Sequence, residues 1–127
     1  MSAGKFSPDA EWLTVSMNHS NVNNDVFLVA TDGSVSLLLT PHEGAANFGS
    51  FAWANDDNIY LCSNRDREFS AVALIHLPLS QWQPDDLVKA EIGESALRWI
   101  HTPERDVESI AISDDGLWIG WVENSDG

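Results

Sequence analysis

The chain is short of cysteine, of positive charge and of long apolar runs. Cys62 is the only cysteine among 127 residues, so no intrachain disulfide can form. A lone cysteine fits a reducing compartment, which favours a cytoplasmic address over a periplasmic one. Lys and Arg total six against twenty Asp and Glu, a formal net charge of -14. Such a chain repels nucleic acid and anionic lipid, because neutralising phosphates takes clustered cations. No apolar run approaches the roughly 18 residues needed to span a bilayer. The N-terminus MSAGKFSPDA lacks the apolar core of a signal peptide. Hydrophobic residues at 43% and charged residues at 20% are ordinary for a globular domain, and the length fits one.

What is present is a repeated phrase. FSPDAEWLTVS starts at Phe6, WANDDNIYLCS at Trp53 and ISDDGLWIGWV at Ile112. With the anchors Phe6, Trp53 and Ile112 aligned, Trp12 meets Ile59 and Trp118, and Leu13 meets Tyr60 and Ile119. Repeats at this spacing point to a solenoid, a propeller or an array. The centres Asp9-Ala10-Glu11, Asp56-Asp57-Asn58 and Asp114-Asp115-Gly116 are turn chemistry. The runs that follow, 12–16, 59–63 and 118–122, are rich in β-branched and aromatic residues and read as strands. In WIGWV and IYLC apolar side chains fall on both faces, as in a strand covered on both sides.

The rest of each unit follows the same order. A polar loop over 18–25 leads to the strand 26–30, then to a hairpin marked by Asp32-Gly33, then to 35–40. In the second unit the loop 64–69 precedes the strand 71–77. A longer connection over 78–96 precedes 97–102. The third unit stops after strands near 109–113 and 117–122. The predicted fold class is all-β: a β-propeller fragment of two four-stranded antiparallel blades plus half of a third. The blades span about 6–40, 50–102 and 109–123 within one partial domain, 1–127. A propeller needs about four to eight blades, so the chain reads as a piece of a longer protein. Trp12, Trp53, Trp118 and Trp121 are expected between blades, with Trp82 and Trp99 near the long connection.

These phrases, with NDVFLVATDGSVSLLLTPHEG, SNRDREFSAVALIHL and ISDDGLWIGWVENSDG, resemble the propeller of prolyl-oligopeptidase-type serine peptidases, in particular the acylaminoacyl-peptidase-like branch. The repeat style is also similar to that of the periplasmic TolB protein. Asn55 stands where that family usually has Pro, and Ala10 and Asp57 where it usually has Gly. The resemblance implies a parent peptidase whose chemistry lies in a separate C-terminal hydrolase domain, marked by G-x-S-x-G. No such motif occurs here, so the chain reads as non-catalytic. Its task in the parent would be to gate access to the hydrolase domain and offer loops to a peptide substrate. A TolB-like binding propeller without an enzyme, or a lectin-like module that builds its ring from several chains, are the alternatives.

Few residues carry chemistry. His19, His42, His76 and His101 are scattered and lack metal-site spacing, so no metal or other cofactor is expected. The Asn/Asp-rich stretch 18–25 lacks the EF-hand pattern and reads as a plain connection. Asn18-His19-Ser20 is a glycosylation sequon, meaningful only in a secretory pathway. Arg65, Arg67 and Glu68 form the one charged cluster that could meet substrate, since the arginine fork suits a peptide carboxylate. Local pairing with Asp66 and Glu68 is the competing reading. The strand 117–122 would be an unpaired apolar edge, so self-association through it is expected, edge to edge or as aggregate.

Overall fold

The computed structural model describes residues 2–20, 23–33, 36–55, 57–77, 96–103, 106–113 and 117–123. The connection over 78–95 with Trp82, Val35, Asp56 and the turn 114–116 lie outside them. Ten strands follow in chain order: β1 (Ser2–Phe6), β2 (Trp12–Ser20), β3 (Asn23–Ala30), β4 (Ser36–Leu38), β5 (Phe48–Asn55), β6 (Asn58–Ser63), β7 (Ala71–His76), β8 (Leu97–His101), β9 (Val107–Ile112) and β10 (Ile119–Glu123). β1 to β4 form one antiparallel meander and β5 to β8 a second. β9 and β10 form a hairpin. No helix occurs among the described residues beyond a single 3-10 position at Ala96.

The all-β expectation therefore holds, with strands in the anticipated order. Asp32-Gly33 does turn β3 toward β4, with Gly33 at φ 80 and its N–H donating to the Ala30 carbonyl at 2.8 Å. The stretch 18–25 differs. It is largely paired strand, with Met17 opposite Asp25 and Asn18 opposite Asn24. Antiparallel pairing satisfies backbone groups whatever the side chains, so a polar stretch can extend a ladder instead of looping out.

The sheets stack face on face. Trp12, Val26 and Leu28 of the first sheet pack against Ile59, Leu61 and Ile75 of the second in one buried cluster. The opposite face of the second sheet, with Tyr60, Cys62 and Val72, packs on Val107, Ile110 and Ile119 of the hairpin. β5 lies against both β1 and β9. We call the face toward the following sheet leading and the other trailing. Alternation along the strands then assigns Leu13, Val15, Phe27 and Val29 to the trailing face of the first sheet.

This assignment corrects the sequence alignment of the repeat. Phe6 pairs with Leu13 and Ile112 with Ile119, but Trp53 pairs with Ile59. The second turn is one residue shorter, so Leu13 corresponds to Ile59 and not to Tyr60. The described ends of the first and third turns share two hydrogen bonds. Ser7 N–H donates to the Trp12 carbonyl at 2.8 Å, and Trp12 N–H donates to Ser7 Oγ at 3.1 Å. Ser113 N–H donates to the Trp118 carbonyl at 3.0 Å, and Trp118 N–H to Ser113 Oγ at 3.1 Å. Yet Trp12 is buried while Trp118 is 76% exposed and Trp121 38% exposed. The two hairpin tryptophans are thus not core residues here. Trp118 faces the leading side, where the cover that the second sheet supplies to Trp12 is lacking among the described residues, whereas Trp121 lies on the trailing side against His101.

Cys62 sits between the second sheet and the hairpin, 7% exposed. Burial pushes its thiol up to about 11, and a hydrogen bond with Ser50 pulls weakly the other way. An unfolded thiol ionises near pH 8.5 and so loses its proton first. The contribution is intact below that pH. Stability should fall by roughly 2 kcal/mol as pH rises from about 8.5 to 11. Urea midpoints against pH, for the native chain and Cys62→Ala, check this: the variant should lack the alkaline decline.

Candidate functional site

At one end of the sheets lie the end of β2, the start of β3, the β6–β7 turn, the connection leading into β5 and the start of β9. Polar side chains hold these segments together. Asn24 is buried on β3. Its Oδ1 accepts from Phe48 N–H at 2.8 Å, and its Nδ2 donates to the Phe48 carbonyl at 3.0 Å and to Ser16 Oγ at 2.9 Å. It thereby ties the first sheet to the start of β5. At the next junction Val107 N–H donates to the Ser70 carbonyl at 3.0 Å, and Ser70 N–H to Asp106 Oδ1 at 2.9 Å. Between the ties opens a polar groove of about 310 Å³, lined in part by Ser16, Asn47, Ser50 and Glu108.

The arginine cluster stands on the β6–β7 loop at this same end. Asn64 anchors the loop: its Oδ1 accepts from Asn47 N–H at 2.8 Å, and its carbonyl from Arg67 N–H at 2.9 Å. Asp66 takes positive φ, 57°, which turns the chain sharply between the two arginines. Arg65 and Arg67 both approach the Trp99 ring, with guanidinium carbons 5.9 and 5.3 Å from its centroid. At these distances each cation is attracted by the ring quadrupole. Arg65 is mostly covered, and its Nε lies 3.9 Å from Asp66 Oδ2, the local pairing weighed in the sequence. Arg67 and Glu68 are exposed. They line an open groove of about 680 Å³ with Asp66, Phe69, Thr102 and Pro103.

Arg65, Arg67 and Glu68 thus share a loop but divide in role: Arg65 packs, while Arg67 and Glu68 face the groove. Sequence reasoning places Trp99 near the long connection and does not join it to this cluster. The signal was available, because a meander brings the end of β8 beside the start of β7, and hence beside the loop 64–70.

His19 and His42 flank Asp25, while His76 and His101 stand apart. His19 Nε2 lies 2.6 Å from Asp25 Oδ2, and His42 Nδ1 lies 3.7 Å from Asp25 Oδ1. His42 is buried against Phe48, its Nδ1 2.7 Å from the Thr40 carbonyl and its Nε2 2.9 Å from Asn23 Oδ1. His76 meets Asn58 Oδ1 at 2.7 Å. His101 meets Glu123 Oε1 at 2.7 Å and stacks on Trp121, pinning β10 to the outer strand of the second sheet. Among the described residues no group of three or more His, Cys, Asp or Glu side chains is arranged to hold a metal. No described helix is long and apolar enough to cross a membrane.

No protein-family model matches the chain, and no curated protein or solved structure matches it either.

Proposed function

We propose that the chain is a non-catalytic β-propeller segment of the prolyl-oligopeptidase type that offers its loop end to peptide. In a whole peptidase it would stand over the hydrolase domain and limit what reaches it. One observation carries this reading. Phe6, Trp53 and Ile112, the anchors of the three repeats, line a single groove at the far end of the sheets from the arginine loop. First strands gathered side by side, each leading outward into its own meander, are how propeller blades are arranged around an axis.

On this reading the exposed guanidinium of Arg67 is the contact for a peptide carboxylate. The Trp99 face holds the arginine in place, which lowers the entropy lost on binding, and a planar fork suits bidentate capture. Glu68 beside it would favour a cationic group on the same peptide. The test is a titration with short peptides bearing a free carboxylate, followed by the amide signals of 64–70 and the Trp99 indole. Shifts should concentrate there, and Arg67→Gln should weaken binding by about tenfold. Shifts elsewhere would reject the site. Labelling of any serine by a fluorophosphonate probe would reject the non-catalytic reading.

A further inference from the structure

Among the described residues two sheet faces at opposite ends of the stack have no sheet over them, and the chain contains its own example of how such faces fit. The leading face of the hairpin carries Trp118, Gly120 and Val122, with Ala111 and Ser109 across the ladder, all exposed. The trailing face of the first sheet carries Phe6 and Leu38, exposed, and Leu13, Val15, Phe27 and Val29, half-buried. Inside the chain the corresponding positions are joined. Trp12, the counterpart of Trp118, is 5% exposed on the leading face of the first sheet. Ile59 and Leu61, the counterparts of Leu13 and Val15, are at most 1% exposed on the trailing face of the second.

We infer that a second copy of this chain covers these faces head to tail, seating Trp118 of one copy on the Leu13, Val15 and Phe27 face of the other. The shapes suit each other. Ala111, Gly120 and Ser109 make the hairpin face low, and an added Cβ at Gly120 would meet nothing within 4 Å. The bulky trailing face can settle there, as bulky and small positions interdigitate in any packed layer. Covering Trp118 and Val122, 76% and 55% exposed, against Phe6 and Leu38, 60% and 38% exposed, removes large apolar side chains from water on both partners, as a specific contact, which needs roughly 1,000 Å² in all, requires. A contact between unlike patches either closes or runs on as a filament. Two copies contribute six sheets, two of them hairpins, within the about four to eight that a propeller ring accommodates. Closure then forms the contact twice, which favours the pair over an open chain. The 117–122 segment is thus the route of self-association expected from the sequence, through its face and not its edge.

This inference rests on the observed stacking and not on the peptidase resemblance. The peptide titration tests that resemblance separately, so either can fail alone. The experiment is sedimentation of the native chain at micromolar concentration, with cysteine cross-linking of two variants. A species of twice 14.0 kDa is expected, and Trp118→Ser should weaken it by at least about tenfold. Trp118→Cys mixed with Val15→Cys should give a mixed disulfide-linked dimer, with buried Cys62 silent. Three results would overturn the proposal: a native monomer, disordered aggregate, or a Trp118→Cys variant that links mainly to itself, which marks edge-to-edge pairing.

Discussion

Replacing Asn24 by Ala should cost about 3–5 kcal/mol, a large part of a small domain's stability. The reason lies in what the side chain leaves behind. The Asn24 amide satisfies both backbone groups of Phe48, and Phe48 is itself buried. A buried donor or acceptor that loses its partner costs about 1–3 kcal/mol each. Truncation strands the N–H and the carbonyl at once and removes the bond to Ser16. Asn24→Asp is the sharper variant. It keeps the shape and the acceptor for Phe48 N–H, but it faces the Phe48 carbonyl with an oxygen and buries a charge. Urea denaturation should rank native above both variants, with Asn24→Asp regaining stability as the pH falls and its carboxyl takes up a proton. If Asn24→Ala cost under about 1 kcal/mol, the junction would not hold the sheets together.

The order of strands was legible because each turn announces itself chemically. Gly33 needs the positive φ it has, and Asp9 Oδ1 accepts from Glu11 N–H at 3.0 Å and from Ser7 Oγ at 2.6 Å. Ala10 takes φ 61 in the first turn, at a position where the resembled family usually carries Gly. Two-sided apolar strands gave stacked sheets for the same reason: side chains alternate, and both sets need cover. Strand extent was not legible at 18–25. Asn24 looks like loop composition, and only the tertiary partner Phe48 makes a buried amide favourable there. Nor was the repeat register. One residue fewer in the second turn exchanges the two faces of everything after it, while the aligned letters Trp12 and Ile59 look equally apolar. Of the candidate site, the three residues 65, 67 and 68 were legible as a rare cationic cluster. The Trp99 contact was not read, because it joins residues 34 and 32 positions apart through sheet pairing that a linear reading did not follow.

The largest contrast should appear between two residues that occupy one position of the repeat. Leu61→Ala should destabilise by about 3–4 kcal/mol, whereas Val15→Ala in the isolated chain should cost under about 1 kcal/mol. The one-residue offset makes Val15 the counterpart of Leu61 on the trailing face. Leu61 is 0% exposed, packed between its own sheet and the first. Truncating it loses the transfer free energy of its methyl groups and leaves a cavity that a strand held on both sides cannot collapse. Val15 has strand neighbours but no sheet over it among the described residues, so little surface is newly exposed and no enclosed cavity forms. Association changes the second figure in a defined way. If a second copy covers the trailing face of the first sheet, the cost of Val15→Ala should grow with protein concentration, since binding to the native state adds to stability by mass action. The cost of Leu61→Ala should not. Equal costs at all concentrations would mean that the two positions are not counterparts. A Val15→Ala cost as large as that of Leu61→Ala in dilute solution would mean that the first sheet is already covered within one chain.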